Sequence, residues 1–161
     1  MHNNESIYGL PMTLPLTVWK CDTCGDDVHP KDAIVIWKNV NRRRYDFRIV
    51  HQDKGHLRYG CDPGHDNGFR QFDHLSRFLG ADGLSYALSL LSPGPVMGGT
   101  AVLVDDFNGF VDLVRRTQTP WYEEARLHWQ TEQTQDWLED ASESYPYRPD
   151  VLKRIAQQEL G

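Results

Sequence analysis

Two cysteines three residues apart, followed at once by glycine, constrain this chain more than any other feature: Cys21-Asp22-Thr23-Cys24-Gly25, with a third thiol at Cys61. A C-x-x-C turn places two sulfurs on one side of the backbone, and the glycine permits the close approach needed after the second sulfur. An odd number of cysteines, with no export signal at the start of the chain, argues against a disulfide framework. A thioredoxin-like redox pair would place the C-x-x-C between a strand and a helix, whereas hairpin-type strands follow it here. The pattern therefore points to a tetrahedral metal site, which needs two more side chains besides Cys21 and Cys24.

Cys61 is the natural third ligand, being the remaining thiol. For the fourth, His51 is favoured because it closes a predicted hairpin that returns the chain towards the C-x-x-C turn. His65 is the alternative, since Cys61-Asp62-Pro63-Gly64-His65 offers a C-x-x-x-H grip from a single turn. His56 is a more distant candidate. His2, His29, His74 and His128 read as ordinary surface or core imidazoles.

The strand and helix signals agree with such a module. Thr13–Lys20 reads as an edge or bent strand interrupted by Pro15. Ala33–Val40 is β-branched and aromatic-rich, as in a half-buried strand, and Tyr45–His51 alternates with period two. The polar stretch Asn41–Arg44 between them makes a hairpin loop. Phe72, Leu75, Phe78 and Leu79 have helical spacing, and after a break at Gly80–Gly83 the segment Leu84–Leu91 is an apolar helix expected to be buried. Together these residues resemble a zinc-ribbon or treble-clef zinc finger over roughly residues 16–80: a Cys21/Cys24 knuckle ending in Gly25, a hairpin from Ala33 to His51, and further ligands before a helix starting near Phe69. The resemblance implies bound zinc as the cofactor.

A site closed by four protein ligands is structural, whereas a catalytic zinc keeps a position open. Three thiolates also weaken the ion as a Lewis acid, so a structural role is expected and no catalytic residue is assigned. The alternative is an HNH-like nuclease, with a histidine at a strand end as general base and a second His or Asn on a helix; His51, His65, Asn67 and His74 are the residues that would serve it. The deaminase signature, a phosphate-binding loop, a nucleophile elbow and an H-E-x-x-H helix are all missing from the sequence.

Ser92-Pro93-Gly94-Pro95-Val96-Met97-Gly98-Gly99-Thr100 is rich in turn formers and divides the chain into a zinc-binding hairpin module with short helices (1–92) and an acidic helical region (100–161). The expected class is α+β. Beyond the divide, Asp105 or Asp106 caps a helix with Phe107, Phe110, Val111 and Val114 inward. A second helix runs from Thr119-Pro120 to about Ala141 carrying Trp121, Ala125, Trp129 and Trp137, with Glu123 and Glu124 on a solvated face. Tyr145–Pro149 is a connector, and Asp150–Leu160 a last helix.

The net charge of −6 is uneven: residues 1–80 hold 11 basic and 10 acidic side chains, residues 81–161 only 6 against 13. The acidic half is a poor nucleic-acid surface, because each phosphate contact needs a lysine or arginine. The hairpin offers a local basic group, Lys38, Arg42, Arg43, Arg44 and Arg48, as a candidate nucleic-acid contact; otherwise these side chains simply solvate a hairpin. The Trp-rich acidic helices suggest docking on a protein partner or self-association. The expectation is a small cytoplasmic adaptor or regulatory module without a membrane span.

Overall fold

The computed structural model describes residues 14–52, 61–62, 67–97 and 102–161. The class is α+β, with strands concentrated in the first half and helices in the second. Two short strands, β1 (Trp19–Lys20) and β2 (Asp27–Val28), pair antiparallel and bracket the C-x-x-C turn. The expected strand from Thr13 is thus confined to its last two residues. Ahead of it Leu16 has φ +58°, and Thr17 Oγ1 donates to the Leu14 carbonyl, a local turn that competes with extension.

The main hairpin joins β3 (Ala33–Val40) to β4 (Arg43–His51), registered from Ala33 opposite His51 to Val40 opposite Arg43. Its tip is only two residues, Asn41 and Arg42, both left-handed (φ +50° and +62°), the conformation that matches the twist of tightly joined strands. Arg43 and Arg44 therefore belong to β4 rather than to the loop expected for them. The strand pairs on its outer side with β6 (Leu103–Val104), in parallel, and β3 pairs with β5 (Gln71–His74), giving the order β5-β3-β4-β6.

The strand β5 replaces the first half of the helix expected at residues 72–79. Gln71–His74 supply backbone hydrogen bonds to the otherwise open edge of β3, and Leu75–Phe78 then form one 3₁₀ turn. Leu75 and Phe78 are fully buried, an i, i+3 spacing that a 3₁₀ turn satisfies as well as an α-helix does. Phe72, by contrast, stands 61% exposed. With β5 and β4 on its two sides, β3 is buried on both faces from Ala33 through Trp37, not half-buried as its composition implies.

Helix α1 (Gly80–Leu91) absorbs the expected glycine break. Gly83 is buried where a Cβ would lie 2.1 Å from the Phe78 carbonyl carbon, so the close approach of helix to 3₁₀ turn requires glycine. The helix is not buried all round: Leu84 and Leu88 are exposed while Ala87 and Leu90 face inward. Helix α2 (Phe107–Gln118) is capped by Asp106, whose carboxylate accepts from the Gly109 amide at 2.9 Å, and lies on β4 and α1. The first core gathers Trp19, Val28, the inner residues of β3 and β4, and Phe110 and Leu113 of α2, from beyond the Pro/Gly-rich stretch.

The long helix expected from Thr119 to Ala141 is broken into α3 (Tyr122–Ala125), a 3₁₀ turn at Arg126–His128, and α4 (Glu132–Leu138). Thr131 causes the restart: its hydroxyl accepts from the Thr134 amide at 3.3 Å and donates to the His128 carbonyl at 2.9 Å. Helix α5 (Pro149–Gln157) follows a 3₁₀ turn at Tyr145–Tyr147. A second core unites Tyr122, Ala125, Val151, Leu152, Ile155 and Leu160, with Trp121, Trp129 and Trp137 packed around it. Among the described residues, no helix is long and apolar enough to cross a membrane.

Candidate metal centre

The turn between β1 and β2 is built by its own backbone. The Cys21 amide donates to the Asp26 carbonyl and the Gly25 amide to the Cys21 carbonyl, each at 2.9 Å, with Gly25 at φ +79°. Asp22 fastens this turn to the main sheet: its amide donates to the Ile49 carbonyl (2.8 Å), and its carboxylate accepts from the Ile49 amide (2.7 Å). The end of β4 is thereby held against the knuckle, and His51 is the residue that arrives there. Thr23 Oγ1 donates to the Cys61 carbonyl at 2.8 Å, drawing the third cysteine to the same place.

Cys21, Cys24, His51 and Cys61 consequently converge, with one candidate ligand atom from each lying within 4.8 Å of all the others. Among the described residues this is the one group of three or more His, Cys, Asp or Glu side chains placed closely enough to hold a metal ion. His51 Nδ1 is 3.6 Å from Cys24 Sγ. A tetrahedral zinc with its usual bond lengths has S–N edges of roughly 3.5 Å, so this pair already has the right separation. His51 Nε2 lies 3.1 Å from the Asp27 carbonyl, which can only accept. The ring proton therefore sits on Nε2, and the Nδ1 lone pair faces the sulfurs, the orientation in which a backbone carbonyl steadies a metal-binding imidazole.

The two buried cysteines are shifted in opposite directions. Burial opposes ionisation of Cys21, but the amide groups of Cys24, Thr23 and His51, helped by the imidazole, pull it down to about 7. Cys61 goes the other way, pushed up to about 12 by burial and then by the adjacent Cys24 and Cys21 sulfurs. A metal ion bound there would have to displace the Cys61 proton. Cys21, His51 and Cys61 are buried while Cys24 is exposed, so one sulfur marks the solvent side of the cluster.

Of the two fourth-ligand candidates, His51 is in the cluster; His65, like His56, lies outside the described residues. His74 is exposed on β5. The hairpin cations are drawn into local contacts. Arg43 pairs with Asp105 (2.7 Å), and Arg44 donates to the carbonyls of Leu90 (2.6 Å) and Val102 (3.3 Å). Lys38 and Arg48 both pair with Asp46, at 2.8 Å, and both lie over the Phe69 ring. Arg42 occupies the tip turn.

An ionic hub next to the knuckle was not foreseen in the sequence. Arg116, 3% exposed, pairs with Glu123 and with Asp22 at 2.7 Å each and donates to the Lys20 carbonyl at 3.1 Å. Glu123, read from sequence as solvated, is 2% exposed; its Oε1 also accepts from the Lys20 amide at 2.9 Å. Trp19 Nε1 donates to the Arg116 carbonyl at 3.0 Å. Although burial opposes its charge, Arg116 is held protonated by Glu123 first and Asp22 second. No sequence spacing links residues 22, 116 and 123; only the packing of α2 and α3 on β1 does so. Compared with known protein families, curated proteins and solved structures, the chain matches none of them.

Proposed function

We propose that the cluster binds zinc through Cys21, Cys24, His51 and Cys61, and that the ion is structural. The observation that carries this reading is convergence: four side chains from the knuckle, the end of β4 and the Cys61 turn offer ligand atoms that all lie within 4.8 Å of one another, and four protein ligands would fill a tetrahedral shell and leave no position for a reacting water. His51, with Nδ1 turned to the sulfurs, has no lone pair left to act as the base of an HNH-like nuclease. The three free cysteines suit a reducing compartment such as the cytoplasm.

In this reading the chain is an interaction module, an adaptor or regulator that meets a protein partner or a second copy through its helices. The apolar side chains left outside the two cores, including Leu84 and Leu88 on α1, Phe107 on α2 and Leu127 after α3, support it. The contacts made by Lys38, Arg43, Arg44 and Arg48 weigh against nucleic acid as the principal partner.

Elemental analysis of the purified chain is expected to find one zinc per molecule. Cys24→Ser is expected to lose the ion and to lower Tm sharply, because binding and folding free energy are shared in small metal modules. A variant that keeps the wild-type Tm would show the site is not structural. Light scattering, and titration with duplex DNA and single-stranded RNA at low salt, separate the partner readings: steeply salt-dependent binding would restore the hairpin as a nucleic-acid surface.

A further inference from the structure

The four converging side chains are not equivalent towards solvent. Cys24 is exposed, whereas Cys21, His51 and Cys61 are buried, and their candidate ligand atoms all lie within 4.8 Å of one another. The two buried sulfurs are held differently. Cys21 Sγ accepts from the backbone amides of Cys24 and Thr23, and the Cys21 backbone is bonded to both Asp26 and Gly25 across the knuckle turn. Cys61 is drawn in through its carbonyl, by the Thr23 hydroxyl at 2.8 Å, and its thiol meets the Cys24 and Cys21 sulfurs. The pair that can be joined with least disturbance of the knuckle is therefore Cys24 and Cys61. An accessible sulfur beside a second cysteine is the arrangement in which thiol oxidation is selective and stops at a disulfide.

We propose that the cluster is a peroxide-sensitive switch, in which the exposed Cys24 is the sulfur oxidised and the buried Cys61 closes a disulfide with it. The consequence, release of the ion, rests on the zinc reading above. Hydrogen peroxide takes two electrons from Cys24 Sγ: its O–O bond breaks, an S–O bond forms, and one water leaves with a proton from solvent. Cys61 Sγ then attacks that sulfur; the S–S bond forms as the S–O bond breaks, and the hydroxyl departs with a second proton as water. Two thiolates, one peroxide and two protons thus become one disulfide and two waters. An S–S bond is about 2 Å long, so the side chains must turn towards each other, and Cys24 has the solvent side in which to do so. Only Cys21 and His51 are then left as donors, too few to fill a tetrahedral shell. The new bond itself ties the Cys61 turn to the knuckle, and a dithiol reverses it by exchange.

The test uses the full chain as purified, with its zinc content measured first and hydrogen peroxide as the oxidant. Trypsin cuts after Lys20, Lys31 and Arg58, so the peptide holding Cys21 and Cys24 separates from that holding Cys61 unless a bond joins them. After equimolar peroxide, blocking of free thiols with iodoacetamide and digestion, mass spectrometry is expected to find the two peptides joined through Cys24 and Cys61, with the block on Cys21. A zinc indicator is expected to report about one ion released per disulfide formed, and dithiothreitol with added zinc to restore the bound ion. On the untreated chain, limiting iodoacetamide is expected to label Cys24 ahead of Cys21 and Cys61. A disulfide between Cys21 and Cys24, sulfinic acid in place of any disulfide, or a Cys24–Cys61 bond formed with zinc retained would overturn the switch. A chain that holds no zinc at the outset overturns the zinc reading instead, and the thiol map still decides the pairing.

Discussion

Single atoms decide several features of this molecule. Gly83 is one: a methyl group there would meet the Phe78 backbone at 2.1 Å, and neither the helix nor the 3₁₀ turn can retreat without opening the core around Phe78. Gly83→Ala is therefore expected to cost about 1–3 kcal/mol, despite the better helix propensity of alanine, and to lower the denaturant midpoint accordingly. Glu124 is another. Burial raises its carboxyl first, with the Glu123 charge adding to it, so the folded state holds a proton more tightly than the unfolded chain does. Its contribution to stability is present below the ordinary carboxylate range and lost as pH rises through the raised value. Glu124→Gln is expected to raise Tm near neutral pH and to lose that advantage on acidification, which thermal melts across the range would show. Nothing in the sequence distinguishes Glu123 from Glu124, since adjacent acids at a helix start look alike; tertiary placement buries one against Arg116 and leaves the other with an inaccessible oxygen that has no hydrogen-bond partner among the described residues.

At the level of elements, the knuckle and the hairpin were legible because their determinants are local. The C-x-x-C-Gly turn, the β-branched run of β3 and the alternation of β4 each state their conformation within a few residues, and His51 follows from the hairpin's return. The segment from Gln71 to Phe78 was not legible, because its apolar spacing suits an α-helix and a strand followed by a 3₁₀ turn alike. The choice was made by the unfilled edge of β3, a partner nearly forty positions away. The interruption between α3 and α4 had a local signal, Thr131 ahead of Glu132, outweighed in the sequence by the run of well-spaced tryptophans. Thr131→Ala is expected to cost about 1 kcal/mol and to fray the start of α4, measurable as faster amide exchange at Thr134.

Across the whole molecule, two hydrophobic cores meet at one buried charge cluster. Arg116 belongs to α2 of the first core, Glu123 to α3 of the second, and Asp22 to the knuckle. Breaking such a cluster from one side strands the remaining charges in a low-dielectric setting. Arg116→Met is expected to destabilise the chain by about 3–5 kcal/mol, whereas the triple replacement Asp22→Asn, Arg116→Met and Glu123→Leu, which removes the three charges of the cluster and leaves only the partly exposed Arg126 guanidinium beside it, is expected to recover much of the loss. Equilibrium unfolding of the two variants tests the contrast.

Asp22 stands between Cys21 and Cys24 in the chain and also receives Arg116. One carboxylate and one guanidinium therefore link the cysteine turn to the start of the tryptophan-bearing tail. If the knuckle holds zinc as proposed, stripping the ion with a chelator is expected to change the indole emission of the tail that bears Trp121 and Trp129, an optical readout of whether the knuckle is loaded.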